Sequence, residues 1–189
     1  MNTYNKRAYS FSQINAYAMQ HGLLMGIWHI VNSLSFIYSV ISGQAFLISL
    51  LMFCLTPICI YFLTNKYRKE LLPQKTFTLT QGFLHTFLML FYASLWQAVA
   101  LYIYMGHFDH GQLLDSYLMQ IQDPAFIEAM QQTGLDQELH LALNGVSLED
   151  AIKNLKTIPP SFYALMVINT NLVWAPLFSL LVAFITRRT

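Results

Sequence analysis

Four long apolar runs, at 17–41, 45–64, 81–106 and 162–185, constrain this chain more than any other feature. Each is long enough to cross a hydrocarbon core, which takes about 20 helical residues. Lipid offers no partner to open backbone N–H and C=O groups, so all four are predicted to be helices. Composition agrees: hydrophobic residues make up 56% and charged residues 10%, against roughly 45–50% and 25% in an ordinary soluble domain. So few charges cannot cover a surface that faces water. The expected fold is all-α: a single membrane domain over 1–189, an integral membrane four-helix bundle. Ser42-Gly43-Gln44 is read as a tight turn joining the first two runs. Pro57 is read as a kink whose freed carbonyl Thr56 or a neighbouring helix satisfies.

Charge sets the expected orientation. Lys6, Arg7, Lys66, Arg68, Lys69, Lys75, Arg187 and Arg188 fall on one side of the runs, with Glu70 as the single acid there. The positive-inside rule makes that side, with both termini, cytoplasmic. The near-neutral total points to no nucleic-acid partner. Residues 107–160, between the third and fourth runs, are then extracytoplasmic and hold only Lys153 and Lys156 against eight acids. Short amphipathic helices are expected there. Asp123-Pro124 reads as N-cap and first turn, with Phe126, Ile127 and Met130 as a stripe and Gly134 as terminator. Leu139 and Leu143 repeat the spacing up to Gly145, and Ser147 with Asp150 resembles a capping box. Anionic lipid attracts Lys- and Arg-rich helices, so these acidic ones are expected to pack on protein instead.

Several side chains invite a functional reading. His29, Asn32, Gln97 and Asn171 are expected to form a polar layer near the midplane, either as interhelical hydrogen bonds or as a substrate site. Asn169, two residues from Asn171, must face elsewhere, which points to a subunit or partner contact on the fourth run. Ala18, Gly22 and Gly26 are spaced four apart, a small-residue face for close helix packing. His21 and His85 lie near the same interface and can approach each other, but no carboxylate or cysteine sits at matching depth to complete a tetrahedral metal site. His107-Phe108-Asp109-His110 is a single short cluster of ligand types. Cys54 and Cys59 read as buried apolar thiols. No catalytic, metal or phosphate-loop motif appears, so neither enzyme activity nor a cofactor is expected.

Lys66-x-Arg68-Lys69 after the hairpin of spans, Tyr102-Ile103-Tyr104 closing the third span, and Pro176-Leu177-x-Ser179-Leu180-Leu181-x-Ala183-Phe184-Ile185 before Arg187 and Arg188 form a pattern. It resembles the domain of unknown function 4199 family, small four-span membrane proteins found mainly in Bacteroidetes. The resemblance implies the inner membrane of a bacterium and supplies no reaction or ligand. The leading expectation is a non-enzymatic accessory or scaffold subunit in the lipid bilayer, forming a homo-oligomer or contacting an envelope protein partner. A small oligomeric transporter using the polar layer is the alternative, with an enzyme on a lipid-linked substrate behind it.

Overall fold

A computed structural model describes residues 11–40, 42–71 and 77–187. Lys6, Arg7, Lys75 and Arg188 lie outside the described residues, so the charge pattern at the chain ends rests on sequence. Within the described residues there are eight α-helices: α1 (Phe11–Tyr38), α2 (Gly43–Leu71), α3 (Leu79–Ile103), α4 (Gln112–Ile121), α5 (Pro124–Thr133), α6 (Leu135–Ala142), α7 (Leu148–Lys156) and α8 (Pro160–Thr186). A π-helical turn, Tyr104–Phe108, extends α3.

Three of these helices are long and apolar enough to cross a membrane: Gly43–Glu70, Leu79–Phe108 and Pro160–Thr186, with mean hydropathies of 2.4, 1.6 and 1.8. The expected fourth, α1, matches them in length at 28 residues but not in apolarity. Gln13, Asn15, Gln20, His21, His29 and Asn32 all lie on it.

The outer faces of the long helices are apolar, while the interior mixes apolar side chains such as Met25, Ile60 and Met89 with polar ones. Leu47, Leu51, Phe53, Phe62, Val173, Leu181 and Ile185 point outward, each at least 60% exposed. His85, Thr64, Thr86, Ser94, Ser179 and Thr186 are buried. An apolar belt this extensive suits contact with membrane lipid. Cys54 belongs to that outer surface rather than to the interior, which corrects its reading as a buried thiol; Cys59 is half-buried, and both are free.

Helix α3 is the centre, packing most extensively on α8 and α1, while α2 leans mainly on α1. Small residues allow these approaches. A β-carbon at Gly22 would lie 2.6 Å from that of Tyr92, and one at Gly26 would lie 2.8 Å from that of Trp96. On the other flank of α3, Gly82 sits so close to α8 that a β-carbon would be 3.1 Å from the Ala183 Cα. The α8 face there is Ala175, Ser179 and Ala183, four apart and all buried.

The turn between α1 and α2 falls earlier than expected, because Gly43 and Gln44 already belong to α2. Its backbone closes with Ser42 N–H donating to Tyr38 C=O at 3.0 Å. Helix α2 runs unbroken through Pro57. The Thr56 hydroxyl donates to the Met52 carbonyl at 2.9 Å, one residue before Phe53, whose carbonyl loses its helical donor to the proline. At the basic end, Arg68 Nη1 donates to the Thr186 carbonyl at 3.0 Å, placing a cation where the α8 dipole is negative.

Replacing Gly22 by Ala forces α1 away from α3 and is expected to cost about 1–3 kcal/mol. Thermal unfolding in mild detergent should show a lowered Tm. Gly43→Ala, whose side chain would meet open space, should leave the Tm unchanged.

Candidate functional site

Several polar side chains inside the bundle are paired across helices, while Ser94 and Thr186 bond carbonyls of their own helices. The Gln97 amide on α3 links two neighbours: its Nε2 donates to Ser33 Oγ on α1 at 2.7 Å, and its Oε1 accepts from Asn171 Nδ2 on α8 at 3.0 Å. Three helices are thus tied at one level by a single chain of bonds. Asn32 does not join this chain. It accepts from Ser49 Oγ on α2 at 2.9 Å, and Trp28 Nε1 donates to Thr56 Oγ1 on the same helix at 3.1 Å. His29 is half-buried and makes no hydrogen bond in these networks. Asn169 is exposed on the outer face of α8 while Asn171 points inward, as a two-residue separation on a helix requires.

Nearer the basic end, His21 Nδ1 and His85 Nε2 are 3.0 Å apart and both rings are buried. One imidazole donates and the other accepts, so at least one acceptor nitrogen is unprotonated. Tyr67 of α2 stacks on His85 with ring centroids 4.2 Å apart and planes within 5°. Tyr17 reaches Tyr67 from α1 at 5.3 Å. One turn deeper, Thr64 and Thr86 share a hydrogen bond of 2.9 Å. The pair can hold one shared proton between α1 and α3. Among the described residues no three His, Cys, Asp or Glu side chains are grouped to hold a metal ion.

The His107–His110 cluster resolves into a structural device. Asp109 is buried, and its carboxylate accepts from the Gly111 and Leu113 amides, each at 3.0 Å. Those bonds turn the chain from the π-helical turn into α4, with Gly111 at φ 84°.

Where the halves of α1 and α2 nearest their turn meet Leu101 of α3 and Val167 of α8 lies an open groove of about 410 Å³. Asn32, Ser33 and Ser49 form its polar side, and Phe36, Phe46 and Phe53 are among its apolar walls. Ser33 and Ser49 were not singled out in the sequence, where nothing distinguishes them from other serines in apolar runs.

Long apolar helices with a hydrogen-bonded interior and a hydrocarbon exterior define a multi-pass helical membrane protein. The chain belongs to the DUF4199 family of proteins of unknown function, whose model matches residues 18–188. No curated protein and no solved structure matches it.

Leucine at Gln97 leaves the Asn171 amide without its acceptor in a low-dielectric interior, at an expected cost of about 1–3 kcal/mol. Asn171→Leu should cost a similar amount. The double variant should fall short of the sum by about 0.6–1.7 kcal/mol, as read from unfolding in detergent.

Proposed function

We propose that this chain is a four-span protein of the bacterial inner membrane with both termini in the cytoplasm, acting as a non-enzymatic accessory or scaffold subunit for an envelope partner. The observation that carries it is the orientation of α1. Five of its polar side chains bond neighbouring helices: Asn15 bonds Tyr92, His21 bonds His85, Trp28 bonds Thr56, Asn32 bonds Ser49 and Ser33 bonds Gln97, while Gln13 and Gln20 stay exposed near the basic end. Its outward face carries Leu23, Leu24, Ile27, Val31 and Leu34. From Leu23 onward, a helix whose amide, hydroxyl and indole are bonded by its neighbours presents an apolar surface despite modest hydropathy, so α1 serves as the fourth span.

The same bonds favour scaffold over chemistry. Interior amides that bond one another hold helices in register, and such bonds are worth about 0.6–2 kcal/mol each in membranes. Lys66, Arg68 and Lys69 at one end of the bundle and the acidic segment at the other support the orientation.

A transporter is the second reading, and the groove beside Asn32 is the observation that favours it. Asn32→Leu separates the two: loss of flux with retained folding supports transport, whereas lowered stability alone supports the scaffold.

Two measurements test the main proposal. Tags at both termini should resist a membrane-impermeant reagent in intact cells while a cysteine at position 141 reacts. Purification from native membranes in gentle detergent should retain a stoichiometric protein partner. Reactive termini overturn the orientation, and reproducible isolation of the chain alone overturns the accessory role.

A further inference from the structure

We infer that the α5–α6 hairpin is a docking surface for a cationic amphipathic helix of a partner protein. This rests on the accessory-subunit reading and names the part of the chain and the chemistry that would serve it.

The segment between α3 and α8 divides into a base and an arm. Helices α4 and α7 pack together and are fastened to the bundle: Lys156 pairs with Asp115, and the Tyr163 hydroxyl on α8 donates to the Leu155 carbonyl at 2.6 Å. The arm is different. Helices α5 and α6 pack on each other, α5 touches α4, and neither packs extensively on the long helices among the described residues. Helices of 10 and 8 residues are too short to be stable alone. Their apolar side chains remain uncovered: Leu141 is 77% exposed, Leu135 45% and Ile127 43%. Met130, Leu139, Leu141, Val146 and Leu148, with Asp136 and His140, line a recess of about 560 Å³ between this arm and the start of α7.

Charge selects the occupant. The only two cations of the segment, Lys153 and Lys156, pair with Glu149 and Asp115. That leaves Asp123, Glu128, Asp136 and Glu138 of the arm with no cationic partner among the described residues. An apolar recess with Asp136 in its wall, on an arm that carries three further uncompensated carboxylates, matches a helix with a leucine-type stripe and flanking Lys or Arg. A bilayer containing anionic lipid repels these acids, and a second copy of the arm brings the same four.

The test uses the full chain in nanodiscs, with a Leu/Lys peptide patterned as an amphipathic helix and a scrambled peptide of the same composition. The patterned peptide should bind saturably and at least about tenfold more tightly than the scrambled one, or about 1.4 kcal/mol. Leu141→Glu should weaken it by a similar factor. Asp136→Lys with Glu138→Lys should reverse the preference toward a Leu/Glu peptide. These residues are exposed, so helix content by circular dichroism should be retained. Equal binding of the scrambled peptide, or no binding at all, overturns the inference. A fluorophore on a cysteine at 141 that is quenched by lipid-borne quencher in anionic nanodiscs also overturns it, in favour of the bilayer. If a native partner co-purifies undiminished with the Leu141→Glu chain, the accessory role stands and this docking surface falls.

Discussion

Hydrocarbon cannot solvate an amide or a hydroxyl, and that constraint organises this molecule. Polar groups on the long helices seek partners on one another, so donor–acceptor pairs are set into an interior that also holds Met25, Ile60, Met89 and Leu90. Gln97 shows the economy of this. With one donor and one acceptor on the same side chain it joins α1 to α8 through α3. Close approach is the complement, since short interhelical bonds need helices without bulk between them. Gly22 and Gly26 bring α1 in, and Gly82 opposite Ala183 brings α8 in. Helix α3 occupies the centre because it carries small or polar residues on both flanks.

Much of this was legible in the sequence. The apolar runs marked the long helices because a hydrophobic stretch of that length has few other fates. Asp123, Pro124 and Gly134 bounded α5 as expected, since N-cap and left-handed terminator chemistry is local. The four-residue spacing of Ala18, Gly22 and Gly26 marked a face that lies on α3. What escaped depends on rotation between helices. Asn32 was expected with Gln97 and Asn171, yet α2 stands nearer and Ser49 takes its oxygen. The face of Ala175, Ser179 and Ala183 had the same spacing as that on α1, but Asn169 and Asn171 drew the reading of that run. Helix α4 was missed because Asp109, whose carboxylate accepts from amides at its start, sits in a His-rich cluster that reads as metal-ligand chemistry when sequence alone is considered.

The acidic segment divides its labour by charge. Both its lysines are used close to the bundle, where they fasten α7 to α4 and support α7 internally. Its carboxylates farther out are left to water. A segment built for its own stability would spread its cations; this one concentrates them at the root.

The π-helical turn at Tyr104–Phe108 has a geometric consequence for that segment. A π-turn accommodates one residue more than the α-helix it interrupts, and one helical residue corresponds to about 100° of rotation. The azimuth at which the whole outer segment leaves the bundle is therefore set by five residues. Shortening this turn by one would set that rotation against the second attachment of the segment, where Tyr163 on α8 holds the Leu155 carbonyl, whereas a residue added near Asn144 and Gly145 would alter only the arm.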